Sequence, residues 1–274
     1  MTEAYLPMTE RMSIDDRVSS TLRAAAGIFG VAARHMETDR RILINEDEVF
    51  PAASVIKVPI LVELFCRRDE GRLSLDETVE LRDECKVDGS GILKELHPGL
   101  ELNLRDLASL MIVISDNTAT NMMLDWLGMD SVNERMGHFG LKHTVLARKM
   151  YDFEQAALGR ENLCTAGDMM LLLGLLADGQ ISSKNTSIEM LEIMARQQYR
   201  EAIPLRLPED IRVANKTGSI PGVVHDVAVV YGACGPYVLC VMTREVTDKA
   251  GAERAIGKAS EVVHDHFCSS GSSE

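Results

Sequence analysis

The sequence predicts an α+β fold: a five-stranded antiparallel sheet built from both chain ends, flanked by helices, with an all-helical part inserted between its strands. Three observations lead there. Two strand patterns, Ile28–His35 and Arg41–Asn45, stand near the N-terminus. Helical periodicity then dominates from about Ser54 to Leu207. Three more strand patterns, Arg212–Gly218, Val224–Gly232 and Tyr237–Thr243, follow in succession near the C-terminus. Helices segregated from an antiparallel sheet define the α+β class.

Each element has a local cause. Ser13 ahead of Ile14-Asp15-Asp16 reads as a helix cap with acids in the first turn. That helix should run to about Ala26, where Gly27 stops it. The polar turn Glu37-Thr38-Asp39 joins the first two strands as a hairpin. Apolar residues at helical spacing mark Leu104–Ile114, Thr118–Leu127, Ser131–Phe139, Thr165–Ala177 and Ser187–Gln198. Lys249–Phe267 closes the chain as a helix. The expected organisation is an N-terminal extension (1–12), one catalytic domain (13–268) and a small, polar, disordered tail (269–274). Within the domain, 13–50 and 208–268 make the sheet-bearing part and 51–207 the helical part.

Composition bounds the function. The 274 residues suffice for a sizeable core, and 46% of them are hydrophobic. The net charge of −13, from 42 acidic and 29 basic side chains, disfavours nucleic acid and anionic membrane surfaces as partners. Glu3, Glu10 and Arg11 interrupt the first stretch, so no secretory or membrane-spanning segment is expected there. None of the six cysteines shows C-x-x-C spacing. All six are expected as free structural thiols, with Cys234 and Cys240 on a strand pair, and together they point to a reducing, cytoplasmic setting. No metal and no cofactor are expected.

Three short motifs carry chemistry. Ser54-Val55-Ile56-Lys57 follows Phe50-Pro51-Ala52-Ala53 and should open an apolar helix, which Pro59 should bend near its start. Helical positions three apart share a face, so Lys57 can lie beside the Ser54 hydroxyl. A serine alcohol needs a neighbour to take its proton, and a desolvated lysine among other cations has its pKa lowered enough to do so. Ser115-Asp116-Asn117 lies between two apolar helices: Ser115 would relay a proton, Asn117 would hold Lys57 and a substrate amide, and Asp116 would brace the turn from inside. Lys216-Thr217-Gly218 lies on a strand. Lys216 would supply positive charge and Thr217 would bind a carboxylate. Gly218 would leave room for a ligand backbone, and the Ser219 N–H would join that of Ser54 as an oxyanion donor. Alone, each motif is also a plausible helix cap or strand end. The specific signal is the three in this order, each on its expected element.

That trio is the known signature of class A β-lactamases and penicillin-binding proteins. From about Ser13 to Phe267 the chain resembles these penicillin-recognising serine hydrolases, including the Phe50-Pro51-Ala52-Ala53-Ser54 stretch. The resemblance implies the β-lactamase/transpeptidase-like fold, an acyl-Ser54 intermediate and a small acyl substrate such as a β-lactam amide. The chain departs from the class in two places. The ω-loop, Arg148 to Asn162, should carry the Glu that activates the deacylating water, but no carboxylate stands near Lys149 or Met150. Asp152 and Glu154 are the nearest candidates for a displaced base, and Arg148 could pair with Glu161 or another acid to close the loop. On the strand after Lys-Thr-Gly, where the class usually has a carboxylate-clamping Arg, the count reaches His225, a weaker and pH-dependent anion contact if it faces the site. Three activities fit: a β-lactam hydrolase, a D,D-peptidase or esterase of the same fold, or a β-lactam-binding sensor that acylates and then stalls.

Overall fold

The computed structural model of the chain describes residues 12–269. Met1–Arg11 and residues 270–274 lie outside it, and with them nearly all of the expected extension and tail.

Helix α1 (Ile14–Leu22) is capped by Ser13, whose side chain accepts the Asp16 N–H. It tightens into a 3-10 turn (Arg23–Ala25) before Gly27, as the glycine stop implies. Strands β1 (Ile28–His35) and β2 (Arg41–Ile44) form the expected hairpin, with Val31 opposite Ile44. Strands β7 (Arg212–Ile220), β8 (Val223–Gly232) and β9 (Gly235–Arg244) form the C-terminal meander. The sheet order is β2-β1-β9-β8-β7, and every pairing is antiparallel. The two chain ends therefore meet at β1 and β9, where Ile28 faces Arg244.

The inserted helices are α2 (Lys57–Asp69), α3 (Leu104–Val113), α4 (Asn117–Leu127), α5 (Met129–His138), the short α6 (Phe153–Ala157), α7 (Ala166–Ala177) and α8 (Lys184–Met194). Closing helix α9 spans Lys249–Ser269. Two small antiparallel pairs that the sequence did not announce complete the structure. One joins β3 (Phe50–Pro51) to β6 (Leu163–Cys164), and the other β4 (Thr78–Glu80) to β5 (Glu101–Asn103).

The sheet separates two hydrophobic clusters. One, with Val18, Tyr237 and Phe267, lies under α1 and α9. The other, with Phe50, Leu61, Phe65, Met111, Met123 and Leu172, fills the helical side and reaches the sheet at Ala214 and Val227. Helix α2 is buried over ten consecutive residues, Lys57 to Cys66, so it is the central helix of that side.

Two expectations change here. Helix α2 begins at Lys57, and Ser54 sits before it in a 3-10 turn, Ala53–Ile56. Pro59 is consequently in the first helical turn, where its missing N–H costs nothing and no bend is required. The expectation of six free thiols also fails: Cys234 and Cys268 are disulfide-bonded, with Cα atoms 5.0 Å apart. Cys234 lies in the turn between β8 and β9, and the fold brings it onto the last turn of α9, a proximity across 34 residues that spacing does not reveal. Cys66, Cys164 and Cys240 are buried free thiols, and Cys85 is half-buried. The cysteine argument for a reducing compartment loses its basis. Among the described residues no helix is long and apolar enough to cross a membrane.

Candidate active site

The three motifs converge on one cleft between the sheet edge and the helical part. Ser54, Ser115, Thr217, Gly218 and Ser219 line its sheet side, about 430 Å³ in volume. Ser54, Asn117, Met150, Tyr151 and Ser219 line a further 440 Å³ toward the ω-loop. Both volumes lie in the range of small-ligand sites.

Ser54 is presented by a strained turn. Ala53, just before it, has φ 45°, in the left-handed region that residues other than glycine seldom adopt. Gly218 explains how that turn is held. A Cβ on Gly218 would stand 3.1 Å from Val55 Cγ2 and 3.3 Å from both Ala52 O and Ala53 Cβ. The space the sequence reading reserved for a ligand backbone is thus filled by the protein's own nucleophile turn.

Lys57 is fully buried. Its Nζ donates to Ser115 O at 2.7 Å, Asn117 Oδ1 at 2.8 Å and Ser115 Oγ at 3.1 Å. Lys216, also fully buried, donates to Ser115 Oγ at 3.1 Å and to Thr217 O at 2.7 Å. Burial holds the Lys57 amine well below the ordinary lysine range, and the neighbouring Lys216 charge pushes it the same way, against a smaller opposite pull from Asp116. Burial brings Lys216 down to about 7, with Asp226 pulling the other way.

Ser115 is positioned by backbone strain and capping together. Its φ is 57°. The following Asp116 is the N-cap of α4, accepting the Ala119 N–H at 2.8 Å through one oxygen. Its other oxygen accepts Ile92 and Leu93 N–H at 2.6 and 2.9 Å. This is the inward bracing the sequence suggested. Gly91 permits it, since a Cβ there would lie 2.2 Å from the Asp116 carboxylate. Asn117 holds Lys57 through Oδ1 and donates from Nδ2 to Asp88 O at 3.0 Å.

Of the remaining candidates, His225 lines the cleft, whereas Asp152 and Glu154 do not. His225 is 1% exposed. Thr243 N–H donates to its Nδ1 at 2.9 Å, so Nε2 carries the proton and donates to Pro51 O at 2.8 Å. Burial lowers its pKa to about 4. A neutral ring with both nitrogens engaged is no pH-dependent anion contact; His225 instead braces the strand leading to Ser54. Asp152 caps α6 by accepting the Gln155 N–H, and Glu154 is exposed on the same helix. Neither is among the residues that line the cleft. Arg148 does pair with Glu161, at 2.7 Å. Arg148, Met150, Tyr151, Phe153 and Glu161 are among the loop residues that line the cleft. Met150 also belongs to the buried core, and its backbone is fixed at both ends by the Asn121 amide.

Sequence reasoning missed Tyr151 and Gly89. Tyr151, with φ 64°, packs close to Gly89, where an added Cβ would come within 2.4 Å of its ring. The ring thereby closes the ω-loop side of the cleft. Glycine at 89 was visible in the sequence, but nothing local linked it to Tyr151.

Known proteins place the chain. Residues 13–267 match the model of the beta-lactamase enzyme family. The chain belongs to that family, whose members are serine hydrolases. A β-lactamase of Proteus vulgaris is 27% identical over 93% of this chain and 96% of its own length. The crystal structure of a β-lactamase from Sphaerobacter thermophilus superposes with a TM-score of 0.85 at 32% identity, covering 92% of this chain and 97% of that one. The structure of PBP-A superposes with a TM-score of 0.86 at 30% identity, covering 96% of this chain and 98% of that one. These agreements run the length of the fold, and with it the expected α+β architecture.

Proposed function

We propose that the chain is a β-lactamase-type serine hydrolase that opens β-lactam amides through an acyl-Ser54 intermediate. The observation that carries this reading is the shared contact of two buried lysines with Ser115 Oγ beside the nucleophile turn. In its neutral form Lys57 has a lone pair to take the Ser54 proton. Ser115 then passes a proton to the leaving nitrogen, and Lys216 and Thr217 hold the substrate carboxylate. The N–H groups of Ser54 and Ser219 face the developing oxyanion.

A second reading concerns the next step. Asp152 caps α6, Glu154 is exposed, and Glu161, the ω-loop carboxylate that does line the cleft, is paired with Arg148, so each of these three acids is committed away from a deacylating water. Acylation is therefore fast relative to release, as suits an enzyme whose preferred acyl group is not a β-lactam. The Sphaerobacter protein is a β-lactamase, and a mutant of PBP-A is known as an acyl-enzyme complex with penicillin G, so a β-lactamase and a protein trapped as a penicillin adduct both share this fold.

Intact-mass spectrometry over time with a penicillin tests both. The expected result is one covalent adduct per chain, absent from Ser54→Ala and cleared slowly. No adduct and no turnover with any β-lactam would remove the first reading; fast turnover without an accumulating adduct would remove the second.

A further inference from the structure

At the far end of β8 from His225, the side chains of Cys234, His264 and Cys268 gather their donor atoms within 4.8 Å of one another. We propose that the cysteine pair is one of two states of this cluster, and that in the reduced state it is a binding site for zinc or a similar thiophilic divalent cation.

Six features point to a ligand site as well as a staple. His264 and Cys268 are four residues apart on α9 and so share one face. Cys234 approaches from the β8–β9 turn, so the donors come from two rigid elements. The Cys268 sulfur lies 3.7 Å from His264 Nε2 and 3.8 Å from Nδ1, both close to the spacing of about 3.6 Å between a sulfur and a nitrogen bound to one tetrahedral zinc. Nδ1 of the same ring is within 3.3 Å of the buried Tyr237 hydroxyl. With Nδ1–H donating to that oxygen, Nε2 is left free to ligate, which is how histidine ligands are usually oriented. Gly232 supplies the room. A Cβ there would stand 3.0 Å from His264 Cε1 and 3.5 Å from Cys234 Sγ. All three candidate ligands are half-buried, accessible to an ion from solvent.

Two thiolates and one imidazole make a donor set suited to zinc, with water completing the tetrahedron. The exchange between states is balanced by a thiol reductant. Two reductant thiols give two electrons and two protons to the disulfide and become a disulfide themselves, leaving Cys234 and Cys268 as free thiols. Zinc then displaces the two thiol protons as it binds. The bound sulfurs would stand about 3.8 Å apart, the separation set by two zinc–sulfur bonds at the tetrahedral angle. The cluster lies seven residues along β8 from His225, on the order of 23 Å, so occupancy should tie α9 to the sheet without altering chemistry at Ser54.

The test uses the full chain, reduced anaerobically with a phosphine and dialysed against zinc. One zinc per reduced chain is expected, with none retained by the oxidised protein or by Cys234→Ser/Cys268→Ser. Cobalt in place of zinc should give tetrahedral visible bands and a thiolate charge-transfer band, lost in the double variant. Zinc should also slow alkylation of Cys234 and Cys268 in the wild-type chain, a readout needing no variant to fold. Penicillin acylation of Ser54 should be the same in all forms. The proposal is overturned if the reduced chain binds no more zinc than the oxidised one, if zinc leaves alkylation of these two cysteines unchanged, or if the pair resists reduction while the chain is folded.

Discussion

Lys57 and Lys216, from a helix and a strand 159 positions apart, donate to the same oxygen, Ser115 Oγ, each at 3.1 Å. Two ammonium groups sharing one acceptor in a buried site repel each other, so the pair resists carrying two charges at once. The arrangement favours the state with Lys57 neutral and Lys216 charged: one amine to take a proton, the other to hold an anion. The Ser115 hydroxyl thus joins the lysines of two motifs in the cleft that Ser54 lines.

Lys57→Ala should slow acylation by a factor on the order of 10²–10⁴, the usual worth of a positioned acid–base group, while leaving the pre-covalent affinity for a penicillin nearly unchanged. Stopped-flow measurement of the acylation step separates the two quantities. An unaltered acylation rate in this variant would exclude Lys57 as the base.

Acylation should show a two-sided pH profile. Below the lowered pKa of Lys57 the base is protonated and the rate falls with falling pH. Lys216 loses its charge as the pH rises through about 7, so the second-order rate constant should decline on the alkaline side through weaker capture of the carboxylate. In Lys216→Ala the alkaline decline should vanish and the plateau should drop. A wild-type profile that stays flat through the neutral range would show that the charge on Lys216 does not govern capture.

Much of this site was legible in the sequence because each motif coincides with a local structural signal. Asp116 is a helix cap as well as a motif residue, and Lys216 sits within an unmistakable strand pattern. The five-stranded sheet was equally legible, since β8 and β9 are short apolar runs bounded by turn residues and the hairpin is marked by its polar turn. What failed were claims about direction. The imidazole of His225 looked like an anion contact until its two nitrogens were found engaged with Thr243 and Pro51, partners 18 and 174 residues away. Cys234 looked like a core thiol because nothing in a spacing of 34 residues reports that two elements end side by side. The two-residue strands β3 and β6 are too short to show a period, yet their pairing sets the Ser54 turn against the ω-loop.

Gly218→Ala probes the packing of the nucleophile turn. The new methyl would press on Val55, Ala52 and Ala53 at 3.1–3.3 Å, contacts closer than side chains normally keep. A shift of even a fraction of an ångström moves Ser54, and misplacement by about 1 Å costs roughly 100-fold in rate. Acylation should fall by about 10-fold or more while thermal unfolding shifts only a few degrees. Unchanged acylation in a folded variant would mean that the turn accommodates the methyl without moving Ser54.

The last prediction concerns release of the acyl group. A base must reach a water that itself reaches the ester carbon. Met150 is one of several residues of this loop that line the cleft, and its backbone is clamped by Asn121 at 2.8 and 3.0 Å, which holds the position in place. Met150→Glu should therefore place a carboxylate in the cleft and shorten the lifetime of a penicillin adduct by at least 10-fold. Asp152→Asn and Glu154→Gln should leave that lifetime within about two-fold of wild type, because one acid is spent on capping α6 and the other is exposed on its surface. Adduct decay followed by mass spectrometry reads all three variants on one scale. If Asp152→Asn or Glu154→Gln instead lets adduct accumulate where wild type clears it, then that carboxylate swings inward when substrate is bound and is the deacylating base. If Met150→Glu clears adduct no faster, the hydrolytic water does not approach from the ω-loop side of the ester.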